Sequence, residues 1–157
     1  LDYSLAIAGY AMTSDAYHFV APNPDTVTRC MAESIAAAGV KPEDIDAVNA
    51  HGTSTKIGDK VEFDALAKVF GSAIPPVSAN KSQIGHAMGA SSGIESVFAM
   101  EGMMKGLVLP TINYNNDPEI PIDCVPEGAR KLDQEFVLKN AFGFGGCNSC
   151  IVFRRVR

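Results

Sequence analysis

The sequence predicts one α/β domain in which α-helices are layered on a mixed β-sheet. Short apolar runs alternate with amphipathic segments of helical period, in the order β-α-β-α-β-α-β-β. The last two β-type runs are joined by a glycine-rich turn, which predicts an antiparallel pair. With 157 residues, of which 46% are hydrophobic, the chain can bury one substantial core, so residues 1–157 are expected to form one domain.

The first predicted elements are a strand, a helix and a second strand. The strand begins with the alternating side chains from Tyr3 and ends by Ser14, and two prolines break the chain after it. Asp25 is predicted to cap a helix that ends at Gly39. Residues 45–50 then form a short buried strand that stops before His51. The inward positions of the helix are Val27, Met31, Ile35 and Ala38.

Two further helices are predicted in the middle of the chain. The first starts at Asp59 and stops at Gly71, and a brief strand at residues 77–79 follows it. The polar stretch Asn80 to His86 leads from this strand to another helix over residues 90–105. The side chains of that helix that we expect to face inward are Ile94, Val97, Phe98 and Met104.

The remaining residues form a connection and a hairpin. Four prolines interrupt residues 107–132, which predicts one short strand followed by irregular structure. Residues 135–142 and 147–154 are β-type runs joined by Gly143, Phe144, Gly145 and Gly146.

The composition excludes several classes of partner. A formal charge of −5, with only 13 lysines and arginines, argues against a nucleic-acid or membrane-surface partner, because both favour a basic face. No apolar run approaches the roughly 20 residues of a membrane span, and the start has no secretory signal. We therefore expect a cytoplasmic protein, and the opening strand pattern without an initiator Met suggests that the sequence starts in mid-protein.

The cysteines include a C-x-x-C, Cys147 to Cys150, which a metal site or a disulfide could use. Residues three apart on a strand point to opposite faces, and no further ligands with zinc spacing are evident. Reduced, mostly buried thiols are the simpler interpretation, and no metal is expected.

Polar residues that can carry chemistry follow two of the predicted strands. His51 and His86 could converge on one substrate oxygen and stabilise negative charge on it. Lys81 adds a positive charge, which Glu95 could pair, and the hydroxyls of Thr53 and Thr55 could hydrogen-bond an amide-bearing ligand arm. A single histidine or lysine after a strand is more often a loop or capping residue, but several at corresponding strand ends predict a site. The candidates are His51, Thr53, Thr55, Lys81, His86 and Glu95.

The glycine-rich turn is not a nucleotide-binding loop. Its sequence G-F-G-G-C-N is not G-x-G-x-x-G, and it joins two strands instead of opening a helix. Its glycines allow positive φ and close backbone approach, which would leave N–H groups aimed into a site. Phe144 would then be a mobile aromatic at the entrance; alternatively, Phe142 and Phe144 are both core aromatics at strand spacing.

Three motifs together resemble those of the β-ketoacyl-acyl carrier protein synthases, specifically the chain-elongating type II enzymes. They are V-N-A-H-G-T-S-T-x-x-G-D, N-K-S-x-I-G-H-x-x-G-A-S-S-G-I-E and N-A-F-G-F-G-G-C-N, and D-A-Y-H near the start matches too. The resemblance covers essentially the whole chain. It implies a thiolase-like fold built from two similar halves, of which this chain looks like the C-terminal half.

The resemblance implies decarboxylative Claisen condensation of a malonyl-carrier thioester with an enzyme-bound acyl group, without a cofactor. His51 and His86 would be the catalytic histidines that stabilise the enolate, Lys81 would order the site, and Glu95 would be its structural partner. Thr53 and Thr55 would hold the phosphopantetheine arm. The gating and oxyanion residues would be Asp15, Phe142, Gly143, Phe144, Gly145 and Gly146, with the Asp15 to His18 loop packing against the glycine-rich turn.

The resemblance also implies partners, and it leaves alternatives open. Acyl carrier protein, the N-terminal half of the same synthase and a second copy in a homodimer are the expected partners. The family's nucleophilic cysteine belongs to the N-terminal half; Cys147 stands where many relatives carry Thr, and we expect it to have a packing role. The alternatives are a non-catalytic ketosynthase-like subunit that shapes a partner's tunnel, and a fragment that only binds acyl-pantetheine.

Overall fold

The computed structural model describes residues 4–156, which contain seven strands and four α-helices. The strands are β1 (Leu5–Ser14), β2 (Ala47–Asn49), β3 (Val77–Ser78), β4 (Leu107–Val108), β5 (Arg130–Lys131), β6 (Phe136–Gly143) and β7 (Cys147–Arg155). The helices are α1 (Pro24–Ala37), α2 (Lys56–Phe70), α3 (Lys81–Ile84) and α4 (Ser91–Lys105). Tyr3, the predicted start of the first strand, lies outside the described residues.

The main sheet has five strands in the order β1-β7-β6-β2-β3 and is mixed, as the sequence predicted. β7 pairs antiparallel with both β1 and β6, whereas β2 is parallel to β6 and to β3. The three parallel strands therefore end at the same edge of the sheet, where ligand sites of α/β folds lie. This topology brings the residues after β2, β3 and β6 to one place.

Helices cover both faces of the sheet. One core cluster joins α1 and α2 to the sheet, and it includes Val27, Met31, Leu66, Leu138 and Val152. A second, smaller cluster lies under α4 and includes Ala47, Met103, Val137 and Phe153. Alternate residues of β6 thus face different helical layers, which is the period-two pattern of a strand buried on both faces.

Helix α1 lies directly on β1 because β1 has a glycine at the crossing point. A Cβ built at Gly9 would lie 2.4 Å from both Ala38 N and Ser34 O, so no larger residue fits there. A β-bulge between Ile7 and Gly9 shifts the register of β1 against β7 at the same position.

Several predicted boundaries were wrong by a few residues. Asn23, and not Asp25, caps α1: its side chain accepts from Asp25 N, and Pro24 occupies the first helical position. Helix α2 begins at Lys56 after the cap Thr55, three residues before the predicted start at Asp59. The strand predicted over residues 45–50 is only β2, the polar stretch after β3 contains α3, and residues 107–132 contain both β4 and β5, which pair antiparallel.

The orientation predicted for α4 was wrong at three of the four positions, and the fourth, Phe98, is half-buried. Ile94, Val97 and Met104 were expected to face inward, but they are 40%, 55% and 48% exposed. The helix instead buries Met103 and four small or polar residues: Ser91, Glu95, Ala99 and Gly102. A Cβ at Gly102 would lie 2.6 Å from the Leu107 carbonyl, so close packing against the backbone selects this face over the more apolar one.

Candidate active site

His51 lies two residues beyond the end of β2, in a turn that is held by a buried carboxylate. Glu62 on α2 is 5% exposed, and its two oxygens accept from His51 N and Gly52 N, each at 2.9 Å. Gly52 has a φ of +44°, and a Cβ there would approach Ala79 to 2.8 Å. The chain therefore turns sharply after the strand and presents the half-buried His51 ring at the sheet edge.

His86 lies in the loop between α3 and α4 and faces His51 edge to face, with 5.9 Å between the ring centroids. The His86 Nδ1 atom accepts a 3.1 Å hydrogen bond from Met88 N and is 2.9 Å from Ser91 Oγ. Because a backbone N–H can only donate, Nδ1 is unprotonated and the ring proton lies on Nε2. His86 therefore presents an N–H donor on the side of the ring away from its own loop.

His51 is neutral at physiological pH. Burial lowers its pKa to about 3, and the nearby charges of Lys81 and Lys139 act in the same direction. The ring also packs on Phe142, which is 9% exposed, with 5.4 Å between centroids. A neutral imidazole can donate one hydrogen bond to a developing oxyanion and does not give up a full proton to it.

A buried carboxylate and two buried lysines form an ion-pair cluster next to the histidine pair. Lys81 Nζ lies 2.6 Å from Glu95 Oε1 and also donates to the His51 carbonyl oxygen. Lys139 Nζ, from β6, lies 2.7 Å from Glu95 Oε2. Burial lowers the pKa of Lys139, while its contact with Glu95 favours the charged form. The side chains of all three groups are at most 5% exposed.

A second polar chain runs on the opposite face of β6. Asn140 is fully buried, and its Nδ2 donates to Glu62 Oε1 at 3.0 Å. Its Oδ1 accepts from Cys150 Sγ at 3.3 Å. Glu62 thus accepts one side-chain and two backbone hydrogen bonds, which fixes α2, β6 and the His51 turn relative to one another.

Thr53 and Thr55 lie on the rim of the site, at the start of α2. Their hydroxyl oxygens are 3.1 Å apart, and Thr55 Oγ1 accepts from Gly58 N at 3.2 Å as the cap of the helix. Thr55 therefore has a structural role as well as an exposed hydroxyl. Thr53 is half-buried, and both threonines line the cleft described below.

The glycine-rich turn and the loop after β1 pack against each other at the mouth of the site. Phe144 is 56% exposed and stacks on Phe19, with ring centroids 5.5 Å apart. Gly145 N donates to the Phe19 carbonyl oxygen at 2.8 Å. Phe142 is a buried aromatic and Phe144 is not, so the interpretation of both as core residues holds only for Phe142.

Asp15 joins the two loops. Its backbone N–H donates to Gly146 O at 2.9 Å, and its carboxylate accepts from Asn148 Nδ2 and from Asn23 N at 2.5 and 2.7 Å. Gly146 has a φ of +79°, and a Cβ there would lie 2.5 Å from Asp15 Cβ. Only glycine permits this approach, so the contact between the turn and the Asp15 loop requires glycine at position 146 as well as the hydrogen bonds.

These elements surround an open cleft of about 740 Å³. Its lining includes His18, His51, Thr53, Thr55, His86 and Phe144, together with Glu95 at its floor. The volume is in the range of small-molecule sites, and the polar groups converge from several elements. Lys81 lies behind the lining, because its side chain is covered by Glu95 and the His51 backbone.

The described residues include four cysteines and no clustered set of metal-ligating side chains. Within residues 4–156, no group of three or more His, Cys, Asp or Glu side chains is placed to hold a metal ion. The four cysteines are free thiols; Cys147 is exposed on the cleft wall, whereas Cys30, Cys124 and Cys150 are buried. In the same part of the chain, no helix is both long and apolar enough to cross a membrane.

The structure brings together every candidate residue that the sequence analysis named. Sequence reasoning missed Glu62, Lys139 and Asn140, although signals for two of them were present. Glu62 interrupts the apolar face of α2, and Lys139 interrupts the apolar run of β6. A charged residue at a buried position of an element is itself a sign of a functional or paired group.

Comparison with known proteins gives consistent results. Residues 5–115 match the family described as "Beta-ketoacyl synthase, C-terminal domain". The chain is 42% identical over 154 residues to 3-oxoacyl-[acyl-carrier-protein] synthase 2 of Staphylococcus aureus, an alignment that covers 95% of this chain and 37% of that protein. It is 41% identical over 155 residues to the protein of the same name in Coxiella burnetii, covering 96% of this chain and 37% of the relative.

Solved structures agree with the sequence relatives. A β-ketoacyl synthase from Burkholderia phymatum superposes with a TM-score of 0.92 at 39% identity, over 96% of this chain and 37% of that one. The ishigamide ketosynthase/chain length factor superposes with a TM-score of 0.93 at 38% identity, over 96% of this chain and 38% of that one. The fold is therefore the thiolase-like fold of the ketosynthases, and the chain spans somewhat more than a third of the length of these relatives.

Proposed function

The chain belongs to the β-ketoacyl synthase family, and we propose that it supplies the enolate-stabilising half of a 3-oxoacyl-[acyl-carrier-protein] synthase that elongates fatty-acyl chains. The observation that carries the proposal is the pair of imidazoles 5.9 Å apart in an open cleft, one of them with its proton on Nε2. Two neutral imidazoles this close together can each donate an N–H to one oxyanion.

The proposed reaction uses this pair in the step that makes the carbon nucleophile. The bond between the malonyl Cα and its carboxylate breaks, carbon dioxide leaves, and the electron pair passes to the thioester as an enolate. His51 and His86 donate hydrogen bonds to the enolate oxygen. The enolate carbon then attacks an enzyme-bound acyl thioester, forming the new C–C bond and releasing the cysteine thiolate. This chemistry needs no cofactor.

The proposal assigns the covalent step to residues outside this chain. Cys30, Cys124 and Cys150 are buried, and burial raises the pKa of Cys124 to about 11 and that of Cys150 well above its ordinary value. Such thiols are poor nucleophiles. A hydrogen bond with Cys150 lowers the pKa of Cys30, but Cys30 is fully buried and a substrate does not reach it. Cys147 is exposed but lies on β7, without the helix N-terminus or basic partner that activates a thiol. We propose that an N-terminal half of the protein contributes the nucleophilic cysteine.

The same proposal specifies the partners and the place of action. The cleft rim at Thr53 and Thr55 would bind the phosphopantetheine arm of acyl carrier protein, which brings both the acyl and the malonyl group. Phe144, Phe19 and Asp15 would gate the entrance of this arm. The whole protein is expected to work as a homodimer in the cytoplasm. In support, one structural relative is a type II polyketide acyl-carrier protein in complex with its ketosynthase, at 34% identity and a TM-score of 0.92.

The test separates the two half-reactions in the full-length protein. His51→Gln and His86→Gln, singly and together, are assayed for release of carbon dioxide from malonyl-acyl carrier protein. Acylation by an acyl-carrier thioester is followed in parallel by intact mass. We expect the double variant to lose decarboxylation by more than about 100-fold, as is typical of removing oxyanion donors. Acylation should persist, because the histidines serve the enolate.

Three results would overturn the proposal or one of its assignments. If the double variant still condensed malonyl and acyl groups at the wild-type rate, the histidines would not form the oxyanion site. If the wild-type full-length protein became acylated nowhere and released no carbon dioxide, it would be a non-catalytic ketosynthase-like subunit. Acylation of Cys147 by the chain alone would show that the nucleophile had been misassigned.

A further inference from the structure

Lys139 is a buried lysine that the proposed reaction does not use. It lies in the middle of β6, is 1% exposed and is among the largest fully buried side chains of the described residues. A buried ammonium group costs several kcal/mol unless a carboxylate and hydrogen-bond acceptors compensate it. A leucine or valine would fill this strand position against α4 without that cost, so the lysine calls for a functional explanation.

The contacts of Lys139 lead to the histidine pair through Glu95. Its Nζ lies 2.7 Å from Glu95 Oε2 and donates to the Asn140 carbonyl oxygen. The other Glu95 oxygen lies 2.6 Å from Lys81 Nζ, and Lys81 donates to the His51 carbonyl oxygen. Each oxygen of the carboxylate therefore has its own ammonium partner. Glu95 cannot rotate toward the cleft, although it borders it, without breaking one of these pairs.

Lys139 also balances the charge around the imidazoles. The charged and titratable groups packed around His51 come from four elements and one loop: Glu62 on α2, Lys81 on α3, Glu95 on α4, Lys139 on β6, and His86 in the loop before α4. With neutral histidines, the two lysines match the two glutamates. Without Lys139 the cluster would hold two carboxylates against one ammonium, a negative field that opposes an enolate and favours an imidazolium.

We propose that Lys139 is a second positioning lysine of this site, which holds Glu95 between two ammonium groups and provides the positive charge that the neutral histidine pair needs to face an enolate. The proposal rests on the proposed function for its effect on the reaction. Its effect on the imidazoles does not depend on that function. The depressed pKa of His51, to which the charge of Lys139 contributes, is consistent with it.

The experiment compares Lys139→Met and Lys139→Gln in the full-length protein with Lys105→Met as the matched control. Lys139→Met should fold, because Glu95 keeps Lys81 as a partner and the methionine fills the apolar space. Lys139→Gln keeps a donor for Glu95 and Asn140 but removes the charge. Lys105 ends α4 with a side chain 65% exposed, and its one ion pair within residues 4–156 is with Glu101, so its replacement tests the loss of an ordinary surface charge.

Two readouts are measured. In both Lys139 variants, release of carbon dioxide from malonyl-acyl carrier protein should fall by roughly tenfold or more, equivalent to about 1.4 kcal/mol of transition-state stabilisation. In the pH profile of carbon dioxide release, the acid limb should move to higher pH in both Lys139 variants. The second readout is the titration of the His51 ring by nitrogen-15 NMR in histidine-labelled protein, in which the pKa should rise from about 3 in both variants and stay unchanged in Lys105→Met.

The outcomes separate the two proposals. If activity and titration in both Lys139 variants match those of the control, Lys139 is only a structural ion-pair partner. If Lys139→Met is impaired and Lys139→Gln is not, hydrogen bonding at this position is sufficient, and the role proposed for the positive charge of Lys139 is wrong. If the wild-type protein shows no decarboxylation but the His51 titration shifts as expected, the proposed function fails and the coupling of Lys139 to His51 stands.

Discussion

Replacing Glu62 by glutamine should loosen the His51 turn by an amount that the structure allows us to estimate. The carboxylate accepts from His51 N and Asn140 Nδ2 on one oxygen and from Gly52 N on the other. A glutamine oxygen can replace the first oxygen, but the amide NH₂ then faces the Gly52 N–H, and two donors meet. Losing the charge-assisted hydrogen bond and leaving the Gly52 N–H without an acceptor should together lower the free energy of unfolding by about 2–3 kcal/mol.

The assay is urea unfolding followed by circular dichroism, with amide hydrogen exchange of the segment that contains His51 and Gly52. We expect Glu62→Gln to lower the free energy of unfolding by that amount. Amide exchange should accelerate more in the segment with His51 and Gly52 than in the rest of the protein. Glu101→Gln is the control, because among the described residues the one ion pair of Glu101 is an exposed contact with Lys105. This substitution should change stability by less than about 0.5 kcal/mol. Equal stabilities and equal exchange in the two variants would refute the assignment of Glu62 as the anchor of the turn.

Two more predictions concern the pH response and the loop contact. The folded pKa of His51 is about 3 and its unfolded value is 6.5, so the unfolded state binds more protons between these values, and stability should fall as pH drops from 6.5 toward 3. The loss is at most about 1.4 kcal/mol per pH unit, and a His51→Gln variant measured across the same range should lack this contribution; identical pH dependence would contradict the low pKa. Gly146→Ala should detach the glycine-rich turn from Asp15, because its Cβ would lie 2.5 Å from Asp15 Cβ at a φ of +79°. Thermal unfolding should show a loss of about 1–3 kcal/mol, and limited proteolysis should cut the turn faster, whereas Gly128→Ala, whose Cβ would meet nothing within 4 Å, controls for a strained positive φ without a clash.

The features that depend on local sequence pattern could be predicted from the sequence. The alternating order of strands and helices, the terminal hairpin and the strand ends that carry His51 and Lys81 all follow from periodicity and turn chemistry. The grouping of His51 with His86 followed from the expectation that functional side chains lie at corresponding strand ends, and β2 and β3 are parallel strands that end at the same edge of the sheet.

The parts that could not be predicted depend on contacts between distant residues. Lys139 and Glu95 are 44 positions apart, and Asn140 and Glu62 are 78 apart, so no local pattern pairs them. The inward face of α4 was misjudged for the same reason. Its apolar side chains form a helical stripe, but the close approach of Gly102 to the β4 backbone and the burial of Glu95 turn the opposite stripe toward the sheet.

Consecutive residues of β6 supply two separate polar networks, and this has a consequence for how the chain can vary in length. Lys139 reaches Glu95 on one side of the sheet, and Asn140 reaches Glu62 on the other. A deletion or insertion of one residue between 136 and 138 would exchange the faces of Lys139 and Asn140, placing the ammonium beside α2 and the amide beside α4. Both helices would lose their anchors at once. Natural variants should therefore accept substitutions in this strand but show no gaps there, even where the loops on either side differ in length.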